Sequence, residues 1–327
     1  MRYSFFHSLA AKPASLPTIA IWCLLSMIAC SEDRFLTEID IDLENPEVEL
    51  VLESTIRHSD TLISVYFSRS QSVLEPVTSS LISSATVEIF LNDISLGAVE
   101  EITVNSLRDN QPGSIYQLRI DSAEVKAGDM LRIEATSPEG ERVIAVEQMP
   151  SAANLFSASY LEGRQSSVFY GSNNSVRAII DDPGDEENFY VFFGEERSRA
   201  LNGSPAIGFD TVMFKSEVIL EPGDAFTDGD FLGFTIAKDL TFNGTQGAII
   251  LGTSWEPRMG AFEDSQLFVI LGSVNRSAYN YDVSLDALFR ARDNPFAEPV
   301  VLPNTLSGGR GVLRLINDAS ELRAIPE

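Results

Sequence analysis

The sequence predicts an all-β protein: an immunoglobulin-like β-sandwich over residues 45–150, followed by a second β-sandwich or β-barrel domain over 151–327 with one C-terminal helix. Three observations carry this. Short segments alternate apolar and polar residues, turn-forming residues separate them, and a helical stripe emerges only near the end.

In the first half the alternation is clearest in Ala85-Thr86-Val87-Glu88-Ile89-Phe90-Leu91, where Ala85, Val87, Ile89 and Leu91 share one face. It returns in Leu131-Arg132-Ile133-Glu134-Ala135. The turn Ser137-Pro138-Glu139-Gly140 follows, then a return strand over 142–148. Further strands are expected over 48–52, 62–67 and 115–120. Six or seven short strands in about a hundred residues match the immunoglobulin-like pattern. The pattern breaks at Met149-Pro150-Ser151-Ala152-Ala153, the expected domain boundary.

The second half has expected strands over 156–161, 175–180, 189–193, 212–215, 231–237, 247–252 and 266–271, longer and richer in Phe and Tyr. A helix is expected over 277–292, with Ala278, Tyr281, Leu285 and Leu288 on one face. Arg290 and Arg292 near its end suit the helix dipole, and Asn294-Pro295 stops it. Irregular strand lengths argue against a membrane-spanning barrel.

The first 29 residues read as a lipoprotein signal peptide. Arg2 and Lys12 make its start positive, and no carboxylate precedes Glu32. The apolar run 16–29 is shorter than the roughly 20 residues that span a bilayer. It ends in Met27-Ile28-Ala29-Cys30, which resembles the bacterial lipobox, with Met27 in place of the usual Leu. Cys30 is therefore the expected lipid-attachment residue and 30–44 a tether. Several acyl chains on Cys30 would hold the protein stably at a membrane. Ser31-Glu32-Asp33 reads either as a short acidic export signal or as a solvated part of the tether.

Composition excludes several functions. With 23 basic against 48 acidic residues and a net charge of −25, the chain repels the phosphate backbone of nucleic acid and anionic lipid alike. Cys23 and Cys30 are the two cysteines, so the body carries no thiol for a disulfide, a metal or nucleophilic attack. His58 is the single histidine after the leader. No histidine cluster can build a metal site, and Ser-His-Asp chemistry would have to run through His58, which reads as an exposed loop residue. No G-x-S-x-G, H-E-x-x-H or Walker A pattern occurs. No catalytic residue, cofactor or metal ligand is assigned.

The ordered motifs resemble the Bacteroidota lipoprotein family known as domain of unknown function 4249. They are the lipobox, Phe35-Leu36-Thr37-Glu38-Ile39-Asp40-Ile41-Asp42-Leu43, Ser137-Pro138-Glu139-Gly140 and Glu147-Gln148-Met149-Pro150. Later come Asp182-Pro183-Gly184-Asp185-Glu186-Glu187-Asn188-Phe189-Tyr190, Phe226-Thr227-Asp228-Gly229-Asp230, Tyr279-Asn280-Tyr281, Asn294-Pro295-Phe296-Ala297-Glu298-Pro299 and Gly308-Gly309-Arg310-Gly311. Arg310 departs from the apolar residue usual after the two glycines. The resemblance implies an exported, surface-facing outer-membrane lipoprotein working beside a transporter of the TonB-dependent kind, and it brings no catalytic residues.

Two acidic segments are the remaining sites to weigh. Asp181, Asp182, Asp185, Glu186 and Glu187 could hold calcium or act as acid and base on a glycosidic bond. Asp182-Pro183-Gly184-Asp185 is also ordinary turn chemistry, and the same holds for Asp224, Asp228 and Asp230. The turn reading is preferred for both. Gly308-Gly309-Arg310-Gly311 has no helix after it, so it reads as a tight turn or bulge before the last strand. Phe296 and Trp255 are expected in packing roles. The expected function is a non-catalytic binding or accessory module for nutrient uptake. The alternatives are a carboxylate-dependent polysaccharide hydrolase or a structural cell-surface protein.

Overall fold

Alternating burial, the signature of strands covered on one face, runs through most of the chain. The computed structural model describes residues 48–70, 81–105, 112–121, 125–161, 174–184, 187–200, 210–212, 214–216, 226–229, 235–239, 243–253, 262–291 and 298–326. The expected lipobox with Cys30, and Asp185, Glu186, Asp224, Asp230, Trp255 and Phe296, lie outside them.

The first half contains β1 (Leu50–Arg57), β2 (Leu62–Arg69), β3 (Thr86–Leu91), β4 (Ile94–Ser95), β5 (Glu100–Asn105), β6 (Pro112–Arg119), β7 (Met130–Thr136) and β8 (Arg142–Gln148). Next come β9 (Asn154–Leu161), β10 (Asn174–Asp181), β11 (Phe189–Ala200), β12 (Asp210–Val212), β13 (Phe214–Ser216), β14 (Phe226–Gly229), β15 (Thr235–Lys238), β16 (Gln246–Thr253) and β17 (Phe262–Val274). The helix α1 (Arg276–Ala291) precedes β18 (Arg310–Arg323) and β19 (Ile325–Pro326). The fold is all-β with one C-terminal helix, as the alternation predicts.

These strands form three sheets within Glu47–Glu327. A 10-stranded sheet has the order β14-β15-β11-β17-β18-β1-β2-β6-β5, with β12 beside β11. A 5-stranded sheet has the order β13-β16-β10-β9-β19, and a 4-stranded sheet β4-β3-β7-β8. The orders are open, so the second half is a sandwich rather than the barrel that alternation alone allows.

Each small sheet closes a core against the large one. Leu52, Ile56, Ile63, Val65 and Phe67 of the large sheet pack with Ile89, Leu131, Ile133 and Val143 of the 4-stranded sheet. Tyr190, Phe192, Val269 and Leu271 pack with Val176, Ile180, Ile249 and Leu251 of the 5-stranded sheet. Full burial of such side chains stabilises by about 1.5–3 kcal/mol each. Met149 lies in the first core and Ala153 in the second, so the linker passes from one to the other within five residues.

The other face of the large sheet packs against the helix. On β11 the alternation divides cleanly: Tyr190 and Phe192 enter the second sandwich, while Phe189, Val191 and Phe193 join Ala278 and Tyr279 of α1. On β18, Leu313 and Leu315 face the first sandwich, and Val312 and Ile316 face the helix. Asn317 lies on the same side as Leu315 and pairs with Ser273, which shares its side with Leu271. Both small sheets therefore lie on one side of the large sheet and α1 on the other.

The strand that joins the halves is β18. It pairs antiparallel with β17 and parallel with β1, from Val51 opposite Arg310 to Arg57 opposite Ile316. The expected turn at Gly308-Gly309-Arg310-Gly311 makes this entry possible. Ser307 bridges Ile144 beside β8, and the chain then crosses to β1. Gly311 has φ +128°, and a Cβ there would stand 2.8 Å from the Leu52 carbonyl carbon and closer still to its oxygen. Arg310, exposed at the crossing, pairs with Glu49, which accounts for a charged residue at this place.

Local corrections follow from these contacts. The expected strand over 212–215 is two short strands, β12 and β13, paired to different sheets. Phe226–Gly229, read as part of an acidic turn, pairs with β15 as β14. The buried helix residues are Ala278, Tyr279, Asp282 and Asp286, whereas Leu288 is 38% exposed. Ala278 and Tyr281 of the expected Ala278-Tyr281-Leu285-Leu288 stripe do pack toward the sheet, but the buried face broadens to Tyr279, Asp282 and Asp286 and leaves Leu288 out. Charge pairing lets carboxylates sit on this face: Arg314 of β18 pairs with Asp282, and Arg290, one turn along the helix itself, pairs with Asp286.

Candidate functional site

Of the acidic segment at 181–187, Asp182 is buried and Asp181 exposed. The Tyr190 phenol donates to Asp182 Oδ1, and Gly244 N–H donates to Oδ2 at 2.9 Å. Asp182 therefore ties the turn after β10 to the turn before β16. The two turns meet through glycine, since a Cβ on Gly184 would lie 2.7 Å from Gly244 Cα. The turn reading of Asp182 is thereby given a partner set.

Glu187 pairs with both Lys238 and Arg276. The hydrogen bond from Lys238 holds its carboxyl below the usual range, with both positive charges adding to the effect. Sequence reasoning missed Asp239, a residue 1% exposed whose Oδ2 accepts the Asn188 N–H at 2.7 Å. Burial raises its pKa, and the charges of Asp182 and Glu187 raise it further. Nothing local marks Asp239, which follows an ordinary short strand.

A cavity of about 550 Å³ opens beside Glu187, at the junction of the two sandwiches and the start of α1. Its wall runs through Glu147–Ser151, Glu187–Phe189, Ser273–Arg276 and Gly128. The polar groups are held in place from behind. Asn275 donates to Leu313 O at 3.0 Å and to Ser277 Oγ at 2.7 Å, and accepts from Leu315 N at 2.8 Å. Glu147 accepts from the Ser277 hydroxyl, and Gln148 Nε2 donates to Gly128 O at 2.9 Å. The Arg276 guanidinium stands 5.6 Å from the centre of the Phe189 ring, which packs on Tyr279 at 4.6 Å. Such a preorganised polar wall suits recognition of a hydrogen-bonding ligand.

His58 is half-buried rather than exposed, and its Nδ1 lies 2.8 Å from Val125 O. The neighbouring Ser59 hydroxyl donates to Asp318 Oδ2 at 2.6 Å. A relay needs serine, histidine and carboxylate in series. Here the histidine meets a backbone carbonyl and the serine meets the carboxylate directly, so the three brace the β1–β2 turn. Among the described residues no group of three or more His, Cys, Asp or Glu side chains could hold a metal ion.

A second cavity, about 400 Å³, lies between α1 and the helix-facing side of β1, β2 and β18. Glu53, Thr55, Ser64, Tyr66, Tyr281 and Arg314 contribute to its wall. Asp282 is buried against Arg314 there, and burial raises its pKa while Arg314 opposes the rise.

No curated protein gives a significant match to this chain. A family model described as a domain of unknown function, DUF4249, matches residues 36–320, and the chain belongs to that family.

Proposed function

We propose that this chain is an exported Bacteroidota lipoprotein, anchored through Cys30, and that its body is a non-catalytic binding or accessory module for nutrient uptake at the outer membrane. The partner on this reading is a TonB-dependent transporter. The observation that carries the binding role is the braced polar cavity at the junction of the two sandwiches, a common place for ligand sites. The apolar run and the small residue before Cys30 support the anchor. No helix among the described residues is long and apolar enough to cross a membrane, and acyl chains on Cys30 would supply attachment.

Affinity purification of the native protein from outer membrane, followed by mass spectrometry, tests the partner. A transporter recovered repeatedly is the expected result, and its repeated absence counts against the proposal. Cys30→Ala should abolish acyl labelling and membrane retention. Wild-type labelling in that variant would remove the anchor.

A carboxylate-dependent polysaccharide hydrolase is the second reading, favoured by the raised pKa of Asp239 near Asp182 and Glu187. Against it, Asp182 and Glu187 are already held by structural partners. Release of reducing sugar by the purified chain, lost in Asp239→Asn, would favour this reading.

A further inference from the structure

The second cavity has a charge balance that selects its ligand. Strand register explains its lining. Glu53 lies opposite Tyr66 on β2 and Val312 on β18, and Thr55 lies opposite Arg314. Alternation sends these side chains away from the core that holds Leu52 and Ile56. The helix adds Tyr281 and Leu285 as the remaining side of the cavity.

Arg314 supplies no net positive charge. Its Nε donates to Asp282 Oδ2 at 2.9 Å and its Nη2 to Oδ1, so the pair is internally neutral. Its Nη1 donates to Thr55 Oγ1 at 2.8 Å. The exposed Glu53 carboxylate then sets the charge of the cavity, with the Tyr281 phenol 3.4 Å away. Burial and the Glu53 charge push the Tyr281 pKa up to about 12, so this phenol stays neutral. Tyr66, 47% exposed, forms the outer wall.

The hydroxyls add a second requirement. Thr55 Oγ1 accepts from Arg314, and Ser64 Oγ accepts from Gln117 Nε2 at 3.1 Å. A hydroxyl that accepts one bond retains its own proton to donate. The cavity thus offers a carboxylate for positive charge, two phenol rings, and hydroxyl donors for a neutral oxygen. An anion would be repelled by Glu53 and would find Arg314 already occupied. The net charge of −25 also draws cations toward the surface.

We propose that this cavity binds a small organic cation, an ammonium group joined to a neutral hydrogen-bond acceptor as in an amino alcohol, with Glu53 as counter-ion and Tyr66 and Tyr281 as aromatic walls. Aromatic faces attract ammonium groups, most strongly where water is excluded. The proposal stands apart from the role of the junction cavity.

The test titrates the full-length chain, in maltoside micelles, with choline and with ethanolamine by isothermal titration calorimetry. The control is 3,3-dimethylbutan-1-ol, which has the shape of choline without its charge. Saturable binding of at least one cation is expected, with the neutral alcohol weaker by about tenfold or more. Glu53→Gln should weaken cation binding by a similar factor, and Tyr66→Ala should weaken it as well. Both residues are exposed, so unchanged thermal unfolding checks that the fold is intact. Failure of both cations to bind at millimolar concentration would overturn the proposal. So would equal binding of choline and its neutral analogue, or undiminished cation binding by Glu53→Gln.

Discussion

Gly311→Ala probes the crossing where β18 enters between the halves of the molecule. Gly311 lies opposite Leu52 in the parallel pairing of β1 with β18, at φ +128°. An alanine there meets two costs. The backbone conformation is one that L-residues rarely adopt, and holding it costs about 1–3 kcal/mol. The added Cβ would also stand 2.8 Å from the Leu52 carbonyl carbon and 3.0 Å from its nitrogen. Leu52 is fully buried, so β1 cannot retreat without disturbing the first core. Overpacking of this kind costs about 1–3 kcal/mol more. The total, about 2–6 kcal/mol, is a large share of the roughly 5–15 kcal/mol that holds a typical domain folded.

Gly140 separates the two costs. It lies at the β7–β8 turn with φ +91°, and a Cβ there would meet nothing within 4 Å. Gly140→Ala should therefore show the backbone cost alone. Urea unfolding of the full-length chain measures both variants through their midpoints, provided the slopes stay equal. The expected difference is about 1–3 kcal/mol, with Gly311→Ala the less stable. If Gly311→Ala is no more destabilising than Gly140→Ala, the close approach to Leu52 does not constrain the fold.

Two further predictions concern buried carboxylates. Asp282→Asn leaves Arg314, with its side chain 11% exposed, without its counter-charge and should cost about 3–5 kcal/mol. Asp282→Leu combined with Arg314→Met should recover most of that loss in the same unfolding assay; strictly additive losses would refute the coupling. Asp239 has a pKa raised above its ordinary 3.8, so the folded state holds its proton more tightly than the unfolded chain. Its contribution to stability is complete below that value and is lost as pH rises through the folded pKa. Asp239→Asn should flatten this part of the stability–pH profile, and an unchanged profile would show that Asp239 does not titrate as described.

Strands and helix were legible because their signals are local. The alternation in 85–91 and 131–135 coincides with β3 and β7, and the return strand expected over 142–148 coincides with β8. The Ser137-Pro138-Glu139-Gly140 turn forms with Gly140 at positive φ and Ser137 N–H bonded to Glu141 O at 2.8 Å. The helix expected over 277–292 runs over Arg276–Ala291. The Cys30 reading likewise rests on consecutive residues alone.

The sites were not legible, because their residues meet only after folding. Asp182, Asp239 and Asp282 look alike along the chain. One accepts from Tyr190 and Gly244, one from Asn188, and one from an arginine on another element. The same arginine lets Asp282 sit on the buried face of the helix, where an apolar stripe read from the sequence places no carboxylate. The parallel pairing that brings residue 51 beside residue 310 carries no local mark. Periodicity and turn chemistry act between near neighbours in sequence and can be read there. Strand pairing and charge compensation act between neighbours in space, and the tertiary structure alone selected those partners.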